Sequence, residues 1–141
     1  MSIKNIFGIA GTALNAQTIR MNTTASNLAN ASTISPTEQE AFRAKRPIFR
    51  ALVEQADLNR GFSNLGGVKV KEIVDDTTPV RKVFDPQNPE SNEEGYVFLS
   101  NVNEVTEMVE MIAASRSFQN NVEVVSTAKQ LLFRTLDITK A

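Results

Sequence analysis

Large apolar residues recur at intervals of seven at both ends of this chain: Phe7, Leu14, Met21 and Leu28 near the start, and Met111, Phe118, Val125 and Leu132 near the finish. Seven residues are two turns of an α-helix, so each row falls on one stripe, and each stripe needs something to cover it. The rest of both segments agrees. From Ser2 to about Asn30 there is no proline, no acid and no glycine after Gly11, and Pro36 then supplies a stop. The second helix opens at Asn101-Val102-Asn103-Glu104, where Asn101 stands at capping-box spacing from Glu104 and Asn103 is an equally good cap. It is expected to run to about Leu136, with Glu104, Glu107 and Glu110 at its start and Arg134 and Lys140 at its end, as the helix dipole favours. The positions between the large residues are mixed. In the first helix they are Ile3, Ala10, Gln17 and Ala25 or Thr24; in the second, Met108, Val122 and Leu136, interrupted by Ser115 and Lys129. Small or polar residues in such a row let a partner helix approach closely.

Between the helices the pattern changes. Thr37 to Arg46 mixes charges without period, Pro47 opens a strand over Ile48 to Val53, and Asn59 to Gly67 is a glycine-rich connection. Val68 to Val74 reads as a second strand with Lys69 and Lys71 facing solvent, Val80 to Phe84 as a third, and Tyr96 to Leu99 as a last. Asp85 to Gly95, with two prolines and three asparagine or serine positions that favour turns, is a loop. The expected class is α+β: long N- and C-terminal helices forming a coiled-coil-like layer, with a small β-containing irregular middle. The divisions are 1–36, 37–100 and 101–141.

The residue types present restrict the chemistry. Without His, Cys or Trp, the chain has no histidine acid/base, no thiol nucleophile, no disulfide and no His- or thiolate-ligated metal. The adjacent acids Asp75-Asp76 and Glu93-Glu94 fall in predicted turns, where solvated carboxylates are ordinary. Asp85-Pro86-Gln87-Asn88-Pro89 does not follow the order of a calcium loop, and Gly8-Ile9-Ala10-Gly11 lies inside a predicted helix with no phosphate-loop motif behind it. No catalytic, cofactor-binding or metal-binding residues are therefore expected, and no cofactor. A net charge of −1 favours neither nucleic acid nor an anionic membrane, and the basic group Arg43, Lys45, Arg46 and Arg50 is flanked by acids. No apolar stretch is long enough for a membrane span. Ile6 to Leu14 could pass for a signal-peptide core, but Leu14-Asn15-Ala16 puts a large residue where cleavage needs a small one.

Asn22, Asn27 and Asn30, and again Gln119, Asn120 and Asn121, are weak helix formers at interior positions. They could simply face water. They could also let several helices pack closely and fix their register. Two helices covering only one seam bury little against the entropy of ordering them, so both are expected to order fully in a larger assembly. Other subunits would there cover Ile112, Val124, Leu131 and Phe133.

Ala25-Ser26-Asn27-Leu28-Ala29-Asn30 resembles the signature of bacterial flagellar rod and hook proteins. Gly95-Tyr96-Val97, Asn101-Val102-Asn103, Glu107-Met108, Ala114-Ser115-Arg116-Ser117-Phe118-Gln119, Asn121-Val122-Glu123-Val124 and Thr127-Ala128-Lys129 narrow the likeness to the proximal-rod members. It spans nearly the whole chain and is weakest over residues 31–66. The sequence departs at Asn88, where His is usual before Pro89, at Phe118, where Tyr is common, and in lacking Asn-Thr-x-Thr after the first signature.

The resemblance implies a structural subunit of the flagellar basal body, exported without a cleaved signal peptide through the flagellar type III apparatus. It would polymerise in the periplasm into the helical proximal rod that transmits torque. Implied partners are other proximal-rod subunits, the export-gate and base adaptor protein and the distal rod. Heptad and signature residues together give the expected assembly interface: Phe7, Leu14, Met21, Asn27, Leu28, Asn30, Met111, Ser115, Arg116, Phe118, Gln119, Val122, Val125 and Leu132. The alternatives are another rod or hook subunit, a free helical binding module or secretion chaperone, and a small carboxylate-dependent hydrolase.

Overall fold

The computed structural model describes residues 3–52 and 66–140. Two helices, α1 (Ile3–Ala29) and α2 (Glu104–Lys140), pack along one another. Between them in sequence come the strands β1 (Ile34–Ser35), β2 (Lys45–Leu52), β3 (Gly67–Asp75), β4 (Arg81–Phe84) and β5 (Tyr96–Leu99). The α+β class is as expected. Asn27 of α1 meets Glu107 of α2, Arg20 meets Glu110, and Ile6 shares a groove with Val124 and Leu131, so the helices are antiparallel. At about 1.5 Å per residue the 27 residues of α1 reach ~40 Å and the 37 of α2 ~55 Å, so α2 outruns its partner by roughly 15 Å at its C-terminal end.

The strands form two small antiparallel sheets. β2 pairs with β3 from Lys45↔Asp75 to Leu52↔Gly67, with a bulge between Ile48 and Phe49, and both strands lie against α1. Asn27 fastens the hairpin at one end by exchanging hydrogen bonds with the backbone of Lys45. Near the other end Thr12 Oγ1 accepts from the Val68 amide at 3.2 Å, and a Cβ on Gly67 would stand 2.8 Å from that hydroxyl. Gly67 is therefore a strand residue chosen for close approach. The glycine-rich connection expected over residues 59–67, and Val53 at the end of the first strand, otherwise lie outside the described residues.

In the second sheet β5 is central, with β1 and β4 on its two sides. Residues Ile34 and Ser35 pair with Leu99 and Phe98, which turns what reads as a helix tail into a strand. The loop from Asp85 to Gly95 is a closed turn system: Asn92 Oδ1 accepts from the amides of Glu94 and Tyr96, and the Asp85 amide donates to Gly95 O. Gly95 has φ +78°, and a Cβ there would stand 3.0 Å from the Phe84 ring, so both backbone and space call for glycine.

Packing is thin in one specific sense. Among the described residues every buried apolar side chain is an alanine or a valine, and the core cluster is Ala31, Ala44 and Val102 with Phe42 against it. The largest fully buried side chains are Glu107, Asn27 and Ser100. Large aliphatics and aromatics, which ordinarily fill a core, stand half-buried or exposed.

Candidate assembly surface

The buried polar residues come first, because they position everything else. Asn27 Oδ1 accepts from the Lys45 amide at 2.8 Å, while its Nδ2 donates to Lys45 O and to Glu107 Oε2, both at 3.0 Å. The other Glu107 oxygen, Oε1, has the Arg46 guanidinium 2.6 Å away; this is an ion pair without an aligned hydrogen bond, since Oε1 makes none. Arg46 Nε reaches on to Asp76 Oδ2 at 3.6 Å. Asn101 completes the arrangement: its Oδ1 accepts from the Ala44 amide at 2.7 Å and its Nδ2 donates to the carbonyls of Asp76 and Thr78. Ser100 Oγ donates to Ala31 O. One knot thus ties α1, the β2–β3 hairpin, the segment before β4 and the start of α2. A buried charge is costly unless paired, and Glu107 is fully buried with a cation and an amide on its two oxygens. Asp76 is held below its ordinary 3.8, first by the Thr78 hydroxyl and amide that donate to it and then by Arg46.

The sequence did not announce most of this. Glu107 reads as a dipole-compensating acid, Arg46 as part of a linker and Asp76 as a turn acid. The available signal was spacing: Glu107 lies four residues before Met111, where the seam continues. Of the two candidate caps, Asn103 serves, its Oδ1 accepting from the Thr106 amide at 3.0 Å, and Asn101 is freed for the knot.

The least exposed line on α2 is Glu107, Met111, Ala114, Phe118, Asn121, Val125, Ala128 and Leu132. The heptad row of large residues is where it was expected. The row interleaved with it is displaced by one residue: Met108, Val122 and Leu136 are 54%, 46% and 47% exposed, and the seam positions are taken by Glu107, Ala114, Asn121 and Ala128. Small residues and a paired carboxylate there admit α1 closely, as Ala10, Ala16, Thr23, Thr24 and Asn27 do from the other side. On α1 the large row, Phe7, Leu14, Met21 and Leu28, is half-buried.

The remaining expected interface residues divide. Ser115 and Asn30 are half-buried, Arg116, Gln119 and Val122 are exposed, and Asn27 is fully buried inside the chain. Asn27 therefore cannot touch a neighbour, and its part in any interface is to set the backbone behind it. Asn30 and Asn121 donate to the carbonyls of Ser26 and Ser117, one turn back, which satisfies amides that would otherwise compete with the helix. Outside the seam, α2 presents Val105, Met108, Val109 and Ile112 to solvent at its start and Leu131, Phe133, Leu136 and Ile138 at its end. Such apolar area is typical of an interaction face. The described residues contain no cluster of carboxylates arranged to hold a metal, and none of their helices is long and apolar enough to cross a membrane.

Comparison with known proteins fits this division. The family described as flagella basal body rod protein matches residues 7–34, and that described as flagellar basal body rod FlgEFG protein C-terminal matches residues 93–138. These segments hold most of both helices with Asn27, Asn101 and Glu107, while Arg46 and Asp76 come from the stretch between them. The flagellar basal-body rod protein FlgC of Yersinia enterocolitica is 44% identical over 138 residues, covering 98% of each chain. That of Buchnera aphidicola from Acyrthosiphon pisum is 45% identical over 140 residues, covering 99% of this chain and all of its own. The FlgC of Aquifex aeolicus is 35% identical over 140 residues and 99% of each. With such identity maintained from one end to the other, this chain belongs to the flagellar basal-body rod protein FlgC family.

Proposed function

We propose that the chain is a structural subunit of the flagellar basal-body rod that assembles through its two helices into the proximal, periplasmic section of the drive shaft. The observation that carries this is the inversion of its packing: polar side chains and alanines are buried within the chain, and large apolar ones are left along α2 for neighbours to cover. Residues 1–36 and 101–141 are then the assembly elements, and residues 37–100 the outward part. Subunits joined head to tail by contacts that do not close generate a helical tube. Neighbours of this kind are other proximal-rod subunits, the base adaptor at the export gate and the distal rod, reached by export without a cleaved signal. The function is mechanical, so catalysis has no part in it.

Charge placed on the half-buried rows tests the reading. Phe118→Asp, Leu14→Asp, Leu28→Asp or Leu132→Asp should each abolish rod assembly and swimming while the middle region keeps its fold. A Phe118→Asp strain that swims normally would end this reading.

A further inference from the structure

The β2–β3 hairpin lies along α1, and its two ends are held unequally. At the end with Lys45 and Asp75, Asn27 exchanges hydrogen bonds with the Lys45 backbone, Arg46 pairs with Glu107 and Asp76, and Asn101 accepts from the Ala44 amide. At the far end, among the described residues, one hydrogen bond reaches α1: the Val68 amide donates to Thr12 Oγ1 at 3.2 Å, and that hydroxyl already donates to Ile9 O at 2.7 Å. Breaking this tether therefore leaves Thr12 with a partner and returns one amide to water. Little else resists, because Phe49, Arg50, Ala51 and Leu52 are exposed already and only Gly67, Val68 and Val70 of the facing strand are partly covered. Between the two ends the pairing skips a residue: Ile48 faces Glu72 and Phe49 faces Val70, so Lys71 has no opposite. A bulge of this kind disrupts the ladder locally and lets the strand pair bend. We infer that the outer half of the hairpin, residues 49–52 with 67–70, is a strap that lifts from α1 and returns to it about this bulge, while the inner half stays tied to Asn27 and Glu107. Segments with few buried contacts open locally at low cost while the rest of a fold stays closed. The subunit then has two shapes that differ in the direction of one half-hairpin, and in the open one both the underside of Val68 and the α1 surface at Ile9 and Thr12 face solvent. The inference stands apart from the rod reading.

The chain has no cysteine, so spin labels can be placed singly and cleanly. Labels on Gly11→Cys and Arg50→Cys, both exposed positions, span the outer half; labels on Asn22→Cys and Asp75→Cys, also exposed, span the inner half. Double electron–electron resonance on the full-length chain should show two distance populations across the outer half and one across the inner half. Thr12→Val, which removes the tether and keeps the side-chain shape, should raise the ratio of long to short outer distances about fivefold, the factor equivalent to ~1 kcal/mol for one neutral hydrogen bond, and leave the inner distance unchanged. Gly67→Ala, whose Cβ would stand 2.8 Å from Thr12 Oγ1, should shift the outer distances the same way. A single narrow outer distance in the parent chain rejects the strap, whether or not either variant folds. Inner and outer distances that spread together would show the whole hairpin moving as one body, and that rejects the hinge.

Discussion

The two ends of the helix pair are built on opposite principles. At the end where α1 finishes and α2 begins, Asn27, Ser100 and Glu107 are fully buried and held across large separations in sequence. At the other, α2 runs on alone with its aliphatic and aromatic residues uncovered. One end spends buried polarity to fix a unique arrangement of four segments; the other leaves hydrophobic area unspent. The difference separates folding from association: hydrogen bonds and an ion pair specify the subunit, and apolar area is kept for whatever joins subunits.

The largest way to break that contrast is Glu107→Ala. It leaves one buried Asn27 donor without its acceptor and the 39% exposed Arg46 guanidinium with Asp76 alone, and an unsatisfied buried donor costs about 1–3 kcal/mol. Urea unfolding of the purified variant should show that loss, together with faster amide exchange in β2 and β3. A change below about 1 kcal/mol would mean that Glu107 is solvated in solution.

A smaller effect is expected of Thr78→Val. The depressed ionisation of Asp76 contributes stability that is present above its unfolded value and is lost as pH falls through its lower folded value. Removing the hydroxyl that contributes most to that depression should open a stability gap between variant and parent at neutral pH, closing as pH falls below the ordinary 3.8. A gap of the same size at every pH would show that the loss is one of packing.

The smallest effect on the monomer belongs to Ile138→Ser at the opposite end. An exposed position changes stability by within about 0.5 kcal/mol, yet rod assembly should fall sharply. Destabilisation of the isolated subunit comparable to that of Glu107→Ala would erase the distinction between the two ends.

Both helices were legible because a seven-residue period is local and needs no knowledge of the partner. α1 spans Ile3–Ala29 against the expected Ser2 to Asn30, and α2 continues to Lys140, four residues beyond the expected Leu136, its end lacking any stop residue. The strands at Val68–Val74 and Tyr96–Leu99 were also readable. β1 was not, since two residues become a strand only when Leu99 and Phe98 arrive beside them. The interleaved seam row was missed by one residue for a related reason: hydrophobicity favours Met108 and Val122, while close approach of α1 favours Ala114, Asn121 and a carboxylate whose cation lies on another element. Local period reveals which face is buried, and only tertiary pairing reveals that a charge can share it.

The bond from Asn27 to Glu107 spans 80 residues of sequence, and this has a consequence in time. Contacts between distant residues must meet the entropy of closing the intervening chain before they return anything. A chain emerging from its N-terminus can therefore latch Asn27 to the backbone of Lys45 early, across 18 residues, while the amide hydrogen aimed at α2 waits for the Glu107 carboxylate to follow.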